Sequence, residues 1–202
     1  MLSNKVIGHD DMSLLLPDSE YRMCTMIHLD LKGVELTGSK FVDCNFSHSD
    51  LTDAKLNDCE LTRCDLSSVK VAGANFFSTL FRECKLMGVS FTVHTNITSC
   101  VFEKCHLEYT SWRGMNLTGM DFSHTLLKGS DFGATNLARV NFTNSDLLEC
   151  DWDYAKFNQT DVRGAKLDTL SLKKDLHGLI ISLTQLKGLA ENEGITVLDS
   201  HV

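Results

Sequence analysis

The sequence predicts an all-β solenoid whose chain turns a corner at every fifth position, with four such repeats closing one coil. Three observations carry this reading. Every fifth residue from Met26 to Phe91 is apolar, and after a slip of one position the series continues from Ile97 to Leu167; all but one of the 11 Phe and both Trp fall on these centres. A period of five matches neither an α-helix (3.6) nor a flat strand (2.0), and a fixed repeat is the signature of a stacked architecture. The position two before each centre is mostly small, and all eight Cys occupy it. Residues two apart in extended chain point the same way, so each repeat sends one large and one small side chain inward and three outward. Finally, Cys24, Cys44, Cys64, Cys84 and Cys105 recur once every four repeats, and the interval from Cys84 to Cys105 is longer than the others by one position because it contains the slip. One coil is therefore four repeats, with these thiols stacked on one side.

The elements follow in chain order. Residues 1–25 lie off the pattern and read as an N-terminal cap, since a solenoid must cover the open edge at each end. Residues 26–169 form the repeat region, about seven coils and about 34 Å long at roughly 4.8 Å per coil, with a one-residue insertion within 92–96. Asp or Asn recurs just before the centre, as at Asp30, Asn45, Asp50, Asp65 and Asn116, where it bonds to its own corner. Glycine recurs two after the centre, as at Gly33, Gly73 and Gly129, where a corner needs positive φ. Phe91, Trp112, Phe132 and Trp152 share one side in successive coils. Residues 170–202 leave the repeat: Ser182 and Gln185 make a capping box, Leu183, Leu186 and Leu189 follow on one side of a helix, Gly194 ends it, and Ile195–Leu198 reads as a short strand.

Ala74-Asn75-Phe76, Ser130-Asp131-Phe132 and Thr135-Asn136-Leu137 resemble the pentapeptide-repeat family, whose motif is A(D/N)LXX. The resemblance implies a right-handed quadrilateral β-helix. A rod of this length ending in a short helix is similar to the topoisomerase-protecting subgroup, which includes the Qnr proteins, MfpA, McbG and AlbG. Lys85–Phe91, and the tail from Lys174-Asp175-Leu176 onward, resemble AlbG in layout. That resemblance implies a homodimer joined through the C-terminal module, which binds bacterial DNA gyrase or topoisomerase IV partly by imitating duplex DNA. It implies protection from a poison such as a quinolone, albicidin or a peptide toxin. Loops that contribute to protection in many Qnr proteins have no counterpart beyond the single inserted residue, so the rod is closer to MfpA.

Composition limits the function classes. The chain carries 19 basic and 27 acidic residues, which argues against direct nucleic-acid binding. No apolar run approaches a membrane span and no signal peptide is readable, so the expected location is the cytoplasm, with reduced cysteines. Residues 26–167 hold 18 acidic and 14 basic residues, against about 20 charges on the same length of duplex. Any mimicry is therefore local, and the candidate acidic face is Asp30, Asp50, Asp53, Asp131, Asp151 and Asp153 with nearby Glu149, against Lys32, Lys70 and Arg113. Phe77 and Leu80 point outward by register and form a second candidate contact. Ile180, Ile181, Leu183, Leu186, Leu189, Ile195 and Val197 make the tail more apolar than a cap of its size should leave wet, so they are the expected dimer surface. The C-x4-C pairs Cys59–Cys64 and Cys100–Cys105 share the inward slot and need no metal, and no cofactor motif or catalytic constellation is readable. The alternative reading is a structural or regulatory scaffold that binds a partner other than a topoisomerase.

Overall fold

The structure is a computed structural model and describes residues 1–170 and 177–198. It is a parallel β-solenoid of about nine coils with a short C-terminal strand and helix. Six strands stack in order on the first face: β1 (Leu2–Ser3), β2 (Glu20–Arg22), β3 (Lys40–Val42), β4 (Glu60–Thr62), β5 (Leu80–Arg82) and β6 (Val101–Glu103). All pair in parallel, with Tyr21 opposite Phe41, Phe41 opposite Leu61, and Phe81 opposite Phe102. The other three faces are ladders of single bridges, such as Asn45–Asp65 on the second, Asp30–Asp50 on the third and Glu35–Lys55 on the fourth. Each face thus reads down the rod in steps of four repeats.

The local cause of the coil is the corner. The N–H two before a centre donates back to the preceding centre's carbonyl, as Ala54 does to Leu51 (3.0 Å) and Ala74 to Val71 (3.0 Å). An Asp or Asn before the centre accepts the N–H two residues on, as Asp50 Oδ1 does from Thr52 (3.1 Å). The residue two after the centre has positive φ, which Gly73 (70°) adopts freely; Asp53 (57°) adopts it too, its N–H donating to Ala72 in the next coil (2.9 Å).

Packing follows the large-and-small rule. Phe91–Trp112 and Phe132–Trp152 stack on the third face with ring centroids 4.2 and 4.9 Å apart. On the first face Phe81, Phe102, Phe122 and Phe142 form a continuous stack. The small slot also has a polar role that its size alone did not reveal. Most of its Cys, Ser and Thr side chains donate to a centre carbonyl in the coil before, while Thr110, Thr125 and Ser145 donate to the preceding centre of their own coil. Cys59 Sγ donates to Leu36 O (3.1 Å), Thr79 Oγ1 to Leu56 O (2.6 Å), and Thr135 Oγ1 to Trp112 O (2.8 Å). Burial of a donor is tolerated because it is satisfied.

The ends differ from expectation. Residues 1–25 are not merely a cap but wind a first coil: β1 pairs with β2, Val6 bridges Thr25, and Ile7 is buried. A 3-10 turn (His9–Leu14) replaces one corner, and the buried Tyr21 hydroxyl closes it by accepting Leu16 N–H (2.7 Å). At the other end β7 (Thr160–Asp161) pairs with β8 (Leu179–Ile180), which adds a further coil beyond the repeat. These two windings raise the count from about seven to about nine. Helix α1 (Leu183–Asn192) follows, with Ser182 Oγ accepting Gln185 N–H at its N-terminus (3.3 Å), as the capping box requires. Ile195–Leu198 is not a strand; it has no neighbouring edge to pair with among the described residues, and the strand of this module precedes the helix instead. Lys174-Asp175-Leu176 lies outside the described residues.

Candidate partner-binding surfaces

The third face collects the predicted carboxylates. Asp30, Asp50, Lys70, Ser90, Ser111, Asp131 and Asp151 are successive rungs of one ladder. The column is two acidic clusters, not a continuous strip. Asp30–Asp50 and Asp131–Asp151 stand four coil spacings apart, about 19 Å between Asp50 and Asp131, with Lys70 and two serines between them. Asp53 lies at the corner of the same face, its carboxylate over Gly73, where a Cβ would collide with it. Asp153 follows Trp152 and donates its N–H to Asp151 Oδ1 (2.8 Å). Glu149 sits at the preceding corner with φ of 61° and is ion-paired to Lys128 at 3.0 Å.

The register also supplies cations to these acids. Arg113 reaches both Asp131 (2.7 Å) and Asp151 (2.9 Å). Its guanidinium lies across Gly133, where a Cβ would stand 2.4 Å from it. Lys32 lies 3.7 Å from Asp30 and 3.5 Å from Asp50, and Lys70 lies 3.5 Å from Asp50. Burial would raise the Asp50 carboxyl, but the hydroxyl and N–H of Thr52 and the charge of Lys32 outweigh it and hold it below the ordinary range. The sequence sets these three cations against the acids as opposing charges. Their bridging of neighbouring acids needed the coil spacing, which brings a side chain beside its equivalents one coil away.

Two apolar surfaces accompany this face. Leu80 and Val101 are ladder partners on the first face, and Phe77 lies just before the same corner on the fourth. Phe77 and Val101 are exposed and Leu80 is half-buried. The C-terminal module divides its predicted dimer residues. Leu183 (86% exposed), Leu186, Ile180 and Ile195 face outward, while Ile181 and Val197 are half-buried. Leu189 is buried in the rod's own core, so it docks α1 onto the last coil and is not available to a second copy. A groove of ≈650 Å³ runs along the outer side of α1, lined by Leu183, Leu186, Ala190 and Val197 among others. Gln185 adds a role not foreseen: its Nε2 donates to Val162 O (2.7 Å) and Ala165 O (2.9 Å), so α1 caps the ladder edge of the rod.

The eight cysteines are free and buried. Burial pushes the Cys59, Cys100 and Cys150 thiols up to about 12, far from the thiolate a nucleophile or metal ligand requires. Among the described residues no group of three or more His, Cys, Asp or Glu is placed to hold a metal ion, and no helix is long and apolar enough to cross a membrane.

Family models settle the lineage. The model described as a pentapeptide repeat region matches residues 15–91, and the eight-copy pentapeptide repeats model matches residues 95–133 and 135–169. The chain belongs to the pentapeptide-repeat family. No curated protein matches this pentapeptide-repeat chain. Among solved structures it is similar to two trypsin-treated variants of QnrB1, a plasmid-mediated fluoroquinolone resistance protein. The TM-scores are 0.75 and 0.73 at 22% and 21% identity, covering 98% of this chain and 97% of QnrB1. Full-length QnrB1 gives 0.50 at 20% identity. At this identity the likeness establishes the pentapeptide-repeat fold.

Proposed function

We propose that this pentapeptide-repeat protein is a non-enzymatic binder of bacterial DNA gyrase or topoisomerase IV that protects the enzyme from a topoisomerase poison. The observation that carries the proposal is the extent of the likeness to QnrB1, a fluoroquinolone resistance protein: it covers 98% of this chain and is not confined to a few coils. The outward Asp131, Asp151 and Asp153, with Glu149 beside them, stand near the C-terminal end of the rod. A homodimer through α1 would duplicate this cluster about a two-fold axis, matching a two-fold enzyme. The exposed Leu183, Leu186 and Ile195 support that dimer, because a groove of ≈650 Å³ with apolar lining is left uncovered by the described residues. Phe77 and Leu80 add a second contact on a neighbouring face. Partial mimicry of DNA is the mechanism: the acidic clusters would occupy part of the enzyme's DNA-binding surface, and Arg113 would be displaced or re-paired on docking.

The test is a gyrase supercoiling assay with and without a fluoroquinolone. Added protein should restore supercoiling in the presence of drug, and the triple variant Asp131→Lys, Asp151→Lys, Asp153→Lys should lose this effect while sedimenting as the parent does. No effect of the parent on either inhibition or rescue overturns the proposal. The ion-pairing of the acids by Lys32, Lys70 and Arg113 is what favours the alternative, a scaffold for another protein. Recovery of a single non-topoisomerase partner in a pull-down would decide for it.

A further inference from the structure

The inserted residue has a consequence on the coil above it. The interval from Phe81 to Phe102 is longer by one position than the intervals between neighbouring first-face centres. Its lower side keeps register: Asn75 bridges Asn96, β5 pairs with β6, Phe76 N–H donates to Asn96 O (2.8 Å) and Val101 N–H to Thr79 O (3.0 Å). Its upper side does not. The six-stranded sheet of the first face ends at β6, and the bridge series on the fourth face breaks between Asn96 and Asn116. Among the described residues, no backbone hydrogen bond joins Ile97, Ser99, Phe102 or Lys104 to the coil above, and the amides of Asn116 and Asp121 find no carbonyl in the coil below. Most equivalent amides elsewhere are bonded, as Leu117 to Asn136 O (2.9 Å) and His124 to Thr143 O (3.0 Å); on the third face one coil lower, Val71, Gly73 and Ser90 also lack a cross-coil backbone bond, although Lys70 still bridges Ser90.

At the level of this seam the ladder itself is lost on two adjacent faces. On the third face Ser90 bridges Ser111 and Ser111 bridges Asp131; on the second, His106 bridges Leu126 and Leu107 N–H donates to Leu126 O (2.7 Å). Two clefts lie along the break, one of ≈600 Å³ on the fourth face between Val93–Ser99 and Gly114–Met120, the other of ≈340 Å³ on the first face between Val101–Lys104 and Asp121–His124. An added peptide strand does not fit there. It would need its neighbours about 9.6 Å apart, whereas the Phe102 and Phe122 rings still stack at 5.6 Å.

We infer that this open seam is a hinge dividing the rod into an N-terminal body and a C-terminal body, which bend about the intact second and third faces. The stacked rings keep the core closed while the unbonded faces widen and narrow. The N-terminal body is about five coils, roughly 24 Å long, so a modest bend swings its tip by several ångströms and changes the angle between the two acidic clusters. The seam stands apart from the topoisomerase reading and does not depend on it.

Hydrogen exchange on the unmodified protein tests the seam directly. The amides of Ile97, Ser99, Phe102, Lys104, Asn116 and Asp121 should exchange at least about tenfold faster than those of Phe76, Ser78, Leu117 and Gly119; equal protection overturns the inference. Motion is read by electron–electron distances between spin labels on Lys55→Cys and Lys156→Cys, which span the seam on the fourth face. The native thiols are buried and stay unlabelled. This pair should give a broader distribution than the matched second-face pair Asp65→Cys and Lys166→Cys. Deleting His94 together with Val93→Gly restores the regular interval of four repeats, and should narrow the fourth-face distribution and slow the six amides. Equal widths on the two faces of the parent mean a rigid rod and refute the hinge, whether or not the deletion variant folds.

Discussion

The hydroxyls in the small slot allow the logic of the rod to be tested by two isosteric changes that differ only in what they leave behind. Thr79 and Thr135 are both fully buried and both donate to a centre carbonyl one coil down, at 2.6 and 2.8 Å. Valine keeps the shape and removes the donor. Trp112 O would keep a second bond, from Met115 N–H at 3.0 Å, whereas among the described residues Leu56 O accepts from Thr79 alone. Thr135→Val therefore loses one net hydrogen bond, about 0.5–1.5 kcal/mol. Thr79→Val also strands a buried carbonyl, about 1–3 kcal/mol. The assay is urea denaturation followed by circular dichroism, with the m-value unchanged so that the midpoints compare directly. Thr79→Val should be the less stable of the two. Equal stabilities, or the reverse order, would show that the slot selects for size alone and that its hydrogen bonds contribute nothing.

Three further outcomes are expected. Leu189→Ala should cost about 2–5 kcal/mol, because Leu189 is buried in the core beneath α1; a loss below about 1 kcal/mol in urea melts would mean the helix does not seal the rod. Leu183→Glu with Leu186→Glu should leave monomer stability within about 1 kcal/mol but abolish the dimer in sedimentation, and a parent that already sediments as a monomer contradicts the proposed interface. The Asp43 carboxyl is held below its ordinary range by the Arg63 guanidinium, and Asp161 by Arg163. Their folded pKa values are depressed, so their contribution is present above the ordinary carboxylate range and is lost as pH falls through the folded values. Thermal melts should be flat near neutrality and fall in acid, more gently for Asp43→Asn; a melting temperature that rises on acidification would contradict the assignment.

Much of this was legible in the chain alone, because a solenoid converts sequence distance into spatial adjacency. The period of five placed Phe41, Trp112 and Phe132 at the axis, where all three are fully buried. The spacing of four repeats aligned Asp30 with Asp50 and Asp131 with Asp151, and the ladder pairs both. The Asp or Asn before a centre foretold the corner bonds, since these are contacts between near neighbours in the chain.

Legibility stops where the period stops. Residues 1–14 precede the repeat match, and there the pairing of Leu2 with Tyr21 and the bridge from Val6 to Thr25 reveal a coil. Leu183, Leu186 and Leu189 share a helical stripe in sequence, yet Leu189 turns into the rod and Leu183 stands in solvent, because the docking angle of α1 depends on Gln185 reaching Val162 and Ala165. The extra residue near His94 announces an irregularity but not its site of effect: on the fourth and first faces the coil containing it stays bonded to the coil below, and the mismatch opens above. Repetition by itself determined the inward and outward faces and their stacking, since each repeat meets the same neighbours. The tertiary structure alone decided how the ends close, which acids share a cation, and where the ladder parts, because each depends on a three-dimensional fit that occurs once and leaves no period in the chain.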